Sequence, residues 1–164
     1  MEIRQNENII RTKSFLEKVI LEELDKLMAS GVSYMGFVIM GQVIEVLGSF
    51  LDSKPMKAKG QSFFRFSKAV DCLFGGRYRV LNRKGWLYDK LRNQMVHTFI
   101  PSEDVLIFKD REAAGGYAHL EEADGKIVLI ADGFRKDIER ACTRLLKLLE
   151  EGKLKPKSIG FGYE

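Results

Sequence analysis

Several familiar signatures are missing from this chain, and each absence narrows its chemistry. There is no glycine-rich loop ending in Gly-Lys-Ser or Gly-Lys-Thr, no nucleophile elbow, no His-Glu-x-x-His and no paired Cys-x-x-Cys. Nucleoside-triphosphate and metal-dependent chemistries lose ground accordingly. Cysteine is scarce: Cys72 and Cys142 stand far apart in segments that read as helices. That fits two buried thiols in a reducing compartment rather than a zinc site or a disulfide framework. The first residues, Met1-Glu2-Ile3-Arg4-Gln5-Asn6, lack the basic and then apolar run of a secretion signal, so a cytoplasmic location is expected. The apolar stretch from Tyr34 to Leu51 reaches the length of a short membrane span, but Gln42 and Glu45 lie in its middle and Gly41 and Gly48 weaken it as a helix. A buried helix at the centre of a bundle accounts for it better.

What is present points to one helical domain over residues 1–164 with a loose tail from about residue 152. Hydrophobic residues make up 45% and charged residues 30% of the 164, enough for a sizeable core in a folded chain. Leu16, Ile20, Leu24 and Leu27 recur at helical spacing, and Gly31 follows as a stop. From Ser33 to about Asp52 a second helix is apolar except for one stripe, Gln42, Glu45, Ser49 and Asp52, which should face water, a cleft or a partner. A third carries Phe63, Phe66, Val70 and Leu73 on one side and ends at Gly75-Gly76. A fourth runs from about Lys84 to Thr98 and stops before Pro101. The apolar run Val105 to Phe108 follows, and then two period-two segments, Ala118–Glu122 and Lys126–Ala131, flank Asp124-Gly125 and predict a small hairpin. Phe134, Ile138, Ala141, Leu145 and Leu148 form the stripe of a last helix that closes the array. The expected fold is therefore mainly α, an up-and-down bundle of about five helices with a β-hairpin inserted before the last.

The formal charge of +4 favours a polyanionic partner. Its distribution is sharper: Arg77, Arg79, Arg83, Lys84, Lys90 and Arg92 fall within one stretch against Asp89 alone. On a wheel of about 100° per residue, Leu87, Leu91, Met95 and Thr98 share one side of the fourth helix. Trp86, Lys90, Asn93 and His97 share the other, and an aromatic residue on a polar stripe suggests that something covers it. His119 lies in the hairpin, away from that stripe, and is given no role.

The segment Arg92-Asn93-Gln94-Met95-Val96-His97 resembles the Arg-x4-6-His signature of the HEPN superfamily, with Asn in the position after the arginine. Its place late in the fourth helix of a short helical chain fits that family. The resemblance implies a metal-independent endoribonuclease needing no cofactor, with RNA as substrate and signature residues of two protomers lining one cleft of a homodimer. It implies a toxin or defence role, with a protein antitoxin or a nucleotidyltransferase as further partner. Arg92, Asn93 and His97 are then the catalytic candidates, with Glu45, Gln42, Arg83, Lys84, Trp86 and Lys90 as auxiliary or RNA-binding residues. The chemistry agrees, because RNA supplies its own nucleophile and needs only proton transfer and a cation for the crowded phosphate. An imidazole exchanges protons near neutral pH, and a guanidinium can hold two phosphate oxygens at once. On an ideal helix Arg92 and His97 lie about 140° apart, a separation that two copies of the helix in a symmetric dimer can overcome. The alternatives are a non-catalytic HEPN dimer that binds RNA, nucleotide or a protein partner, and a plain helical interaction protein with a coincidental motif.

Overall fold

The stripe Leu16, Ile20 and Leu24 is buried along helix α1 (residues 2–29) of the computed structural model, which describes residues 2–160. The helix extends well before its apolar repeat, through a polar stretch in which buried Thr12 bonds back to the Asn8 carbonyl at 2.8 Å. Helix α2 (Ser33–Ser49) is the hub of the bundle, with Phe37, Met40, Ile44 and Leu47 fully buried. Around it stand α3 (residues 62–74), α5 (residues 86–98) and α6 (Ala131–Glu150), with the short α4 (Gly76–Leu81) between α3 and α5. Helix α4 was not expected; it starts where Gly75, at φ 66°, ends α3 and re-aims the chain. The architecture is mainly helical, and no described helix is long and apolar enough to cross a membrane.

Packing of α2 is set by two of its glycines. A β-carbon at Gly48 would land on the carbonyl oxygen of Arg65, so α2 and α3 touch backbone to backbone. At Gly41 it would lie 3.0 Å from the Leu91 carbonyl oxygen, which fixes the approach of α5. The glycines that weaken this helix in isolation are therefore what lets its neighbours come close.

The expected hairpin is one part of a three-stranded sheet of order β1-β3-β2. Strand β2 (Glu122–Ala123) pairs antiparallel with β3 (Lys126–Ile130) through Asp124 and Gly125, both at positive φ as a tight hairpin turn requires. The first arm is shorter than predicted, because Leu120 turns left-handed at φ 66° and interrupts the regular pairing, although the Leu120 N–H and the Glu121 carbonyl both still bond to Val128 of β3. The apolar run Val105–Phe108 forms β1 and pairs parallel with β3, a non-local partnership invisible in the local pattern.

The polar stripe of α2, expected to face water, a cleft or a partner, is a mostly internal seam turned to the neighbouring helices and loops. Ser49 is buried and bonds to the Val46 carbonyl. The Asp52 carboxylate meets Arg65 Nε at 2.7 Å, and Arg65, only 4% exposed, also donates to the carbonyl oxygens of Met56 and Pro55 at 2.7 Å. Lys157 Nζ reaches Asp52 at 2.7 Å and the carbonyl of Ser49. The segment from Gly152, expected as a loose tail, is thus tied down through Lys157 and through buried Ile159, and residues 161–164 lie outside the described residues. Burial pushes the Asp52 carboxyl up, but hydrogen bonds from Arg65, Lys157 and the Lys54 N–H outweigh it and bring the group down to about 2.

Candidate active site

Helix α5 buries Leu87, Leu91 and Met95 as its wheel predicts, although Thr98 is exposed. Its middle, Tyr88–Gln94, is π-wound, a local widening that recurs at functional sites. The wider turn lets one carboxylate serve two neighbours: Asp89 accepts from Asn93 Nδ2 at 3.3 Å and from Gln94 Nε2, five residues on, at 2.9 Å. Asn93 is thereby turned to Asp89 and not to His97.

Arg92 points inward to α2. Its Nε donates to Glu45 Oε2 at 2.8 Å, and the other Glu45 oxygen accepts from Ser62 Oγ at 2.9 Å, so one carboxylate joins α2, α3 and α5. Arg92 and Glu45 are 15% and 20% exposed. Gln42 is half-buried on the same helix and takes no part in this bonding. His97 sits in the last turn of α5, exposed, with no hydrogen-bond or ion-pair partner among the described residues. The helix ends two residues later with Phe99 in a left-handed conformation, its carbonyl accepting from Tyr34 Oη at 2.6 Å. Phe99 and Ile100 then expose 57% and 67% of their surface beside His97. The chain therefore brings Arg92, Glu45 and Ser62 together and leaves His97 apart from them.

The rest of the predicted stripe divides. Trp86, expected to be covered by something, is half-buried and packs against the chain's own core. Lys90 pairs with Asp104 at 2.9 Å, a hydrogen bond that holds the lysine above and the aspartate below their usual ranges. A groove of about 450 Å³ opens there between α5 and residues 100–104, but Glu103 and Asp104 line it and make it a poor seat for phosphate. Arg83 and Lys84 lie exposed in the turn before α5, at the end of the helix opposite His97. No family model, curated protein or solved structure matches the chain.

A second polar cluster went unread in the sequence. Tyr78 Oη lies 2.9 Å from His119 Nε2 and donates to Asp137 Oδ2 at 2.8 Å. The Ile130 N–H donates to His119 Nδ1 at 2.9 Å, so that nitrogen is an acceptor and the imidazole is held neutral. Its ring stacks on Phe134, and Gly133 makes room, since a β-carbon there would lie 2.7 Å from that of His119. The cluster therefore ties the sheet to α4 and α6. Its members are 41 and 59 residues apart, and no local spacing reports them. Cys142 is buried, its thiol pushed up to about 12 by that burial, whereas Cys72 is exposed, against the expectation of two buried thiols.

Acid should destabilise the fold in two steps. Burial depresses His119 to about 4, with Asp137 opposing and Arg140 assisting. Its depressed pKa contributes stability that is present above the unfolded value near 6.5 and is lost as pH falls to about 4. That step is worth about 3 kcal/mol. Asp52 has the same sign, and its share of about 2 kcal/mol is lost between roughly pH 4 and pH 2. Urea unfolding measured from pH 7 to pH 4 checks the first step, and His119→Gln should flatten it. A wild-type curve without slope in that interval would show that His119 is not held neutral.

Proposed function

We infer that this chain is a HEPN-type, metal-independent endoribonuclease whose active site is completed in a homodimer. The observation that carries the reading is the contrast along one helix: Arg92 is fixed by Glu45 at 2.8 Å, while His97 one turn later is exposed and has no partner among the described residues. A phosphate clamp benefits from being preorganised, and a general acid-base group must be open to substrate. With Nε committed to Glu45, the two terminal nitrogens of Arg92 remain for phosphate oxygens.

The chemistry follows from those two groups. The RNA 2′-oxygen attacks the adjacent phosphorus as His97 takes its proton, and the bond from phosphorus to the 5′-oxygen breaks as that oxygen takes a proton from the protonated His97 of the partner subunit. Arg92 balances charge on the phosphate oxygens in between. The products are a 2′,3′-cyclic phosphate and a 5′-hydroxyl. Within one protomer Arg92 and His97 are not joined, so the reading uses the partner's copy, with Phe99 and Ile100 as the apolar part of the contact.

One observation favours the second reading, a dimer that binds without cleaving: the mostly buried Arg92–Glu45 pair is also what a purely structural arginine would make. Sedimentation and cleavage measured together test the proposal. The wild type should be dimeric at micromolar concentration, and Phe99→Ser combined with Ile100→Ser should yield a folded monomer without cleavage. A monomeric protein that cleaves RNA would refute the composite site.

A further inference from the structure

The basic stretch from Arg77 to Arg92 is largely neutralised once folded. Arg92 pairs with Glu45, Lys90 with Asp104, Arg79 with Asp71 at 3.5 Å and Arg77 with Glu122 at 4.0 Å. Arg83 and Lys84 are left exposed, with no acidic partner among the described residues. Both line a groove of about 330 Å³ between α3 and the turn that precedes α5; its one carboxylate, Asp71, is paired with Arg79 and so leaves Arg83 and Lys84 in excess. Phe63 and Asn82 line it as well, and the Asn82 side chain bonds to Ser67 Oγ at 3.1 Å and accepts from the Tyr88 N–H at 3.0 Å.

Phe63 is fixed and yet uncovered. Its ring meets Tyr88 edge-on at 5.2 Å and rests on the backbone of Gly85, where a β-carbon would come within 2.7 Å of the ring. Even so, Phe63 is 53% exposed, and the next residue, Phe64, is 52% exposed with Lys68 Nζ 5.5 Å from its ring centre. Rigid exposed aromatic rings beside uncompensated cations are the elements of a single-strand nucleic-acid surface, where bases stack and phosphates pair with the charges.

We propose that the groove formed by Phe63, Arg83 and Lys84, flanked by Phe64, binds single-stranded RNA by stacking bases on the aromatic rings and seating the backbone on the two cations. The inference rests on the ribonuclease reading for its choice of RNA, and it places the substrate strand at the end of α5 opposite His97. A duplex keeps its bases stacked on each other, so it cannot use the rings and should bind more weakly.

Binding can be measured apart from cleavage with a fluorescent 2′-O-methyl RNA 12-mer, which has no 2′-hydroxyl to attack. Phe63→Ala should weaken binding by about fivefold to a hundredfold, and Phe63→Tyr should restore most of it. Arg83→Gln with Lys84→Gln should flatten the slope of log affinity against log salt by about 1.4, the loss of two phosphate contacts to a single strand. Binding unchanged in both variants, equal binding of duplex, or concentration-dependent self-association abolished by Phe64→Ser would each overturn the groove; the last would make this face a protein contact. Normal groove binding in a protein that cleaves no RNA would count against the ribonuclease reading alone.

Discussion

His97→Ala is expected to lower RNA cleavage by about a hundredfold or more, the usual scale for removing a general acid-base group. Folding should not change, because His97 is exposed and makes none of the hydrogen bonds that hold α5. The core contacts of that helix are Leu87, Leu91 and Met95, and its polar tie is Arg92 to Glu45. Thermal unfolding and sedimentation of the variant should therefore match the wild type while activity is lost. Arg92→Lys separates the observed pairing with Glu45 from the proposed contact with phosphate: a lysine can still pair with Glu45, but it cannot offer a phosphate the two remaining nitrogens of a planar fork. It should fold and cleave poorly. Full activity in His97→Ala would remove proton transfer from the account.

Gly48→Ala is expected to be among the most damaging single substitutions in the chain, although it adds one methyl group. The added carbon would meet the Arg65 carbonyl, which is backbone, and neither helix can yield without disturbing the buried side chain of Arg65 and its bonds to Asp52, Met56 and Pro55. Overpacking against flexible side chains costs about 1–3 kcal/mol, and a clash between two backbones should exceed about 4 kcal/mol. Gly160→Ala is the control, since a β-carbon there meets nothing within 4 Å, and it should stay within about 0.5 kcal/mol of wild type. Urea unfolding of the two variants gives the comparison. A mild effect at Gly48 would mean that α2 and α3 are not in backbone contact.

Three of the helices were legible because each buries a periodic stripe, and periodicity is local: Leu16, Ile20 and Leu24 on α1, Leu87, Leu91 and Met95 on α5, and Phe134, Ile138, Ala141 and Leu145 on α6 are all buried, whereas Phe63 of the stripe expected on α3 is exposed and the short α4 was not legible. The Asp124-Gly125 turn was legible for the same reason, since two positive-φ residues in sequence specify it. What escaped depends on partners far along the chain. The parallel pairing of β1 with β3, the union of Tyr78, His119 and Asp137, and the capture of Lys157 by Asp52 leave no mark on local spacing. The wheel separated the buried Leu87, Leu91 and Met95 from half-buried Trp86, but it could not show that Trp86 is covered by the chain's own core. At the candidate site, the sequence supplied the residues Arg92, Asn93, His97 and Glu45. It could not supply their pairing, in which Glu45 holds Arg92 and Asp89 holds Asn93.

The central claim is that the substrate's own 2′-hydroxyl is the nucleophile and that His97 moves the protons. Analysis of the RNA ends produced by the purified protein in excess chelator tests it most directly. The expected ends are 2′,3′-cyclic phosphate and 5′-hydroxyl, formed at an unchanged rate in chelator and lost in His97→Ala. Products bearing 3′-hydroxyl and 5′-phosphate ends, or cleavage that stops when chelator is added, would contradict it.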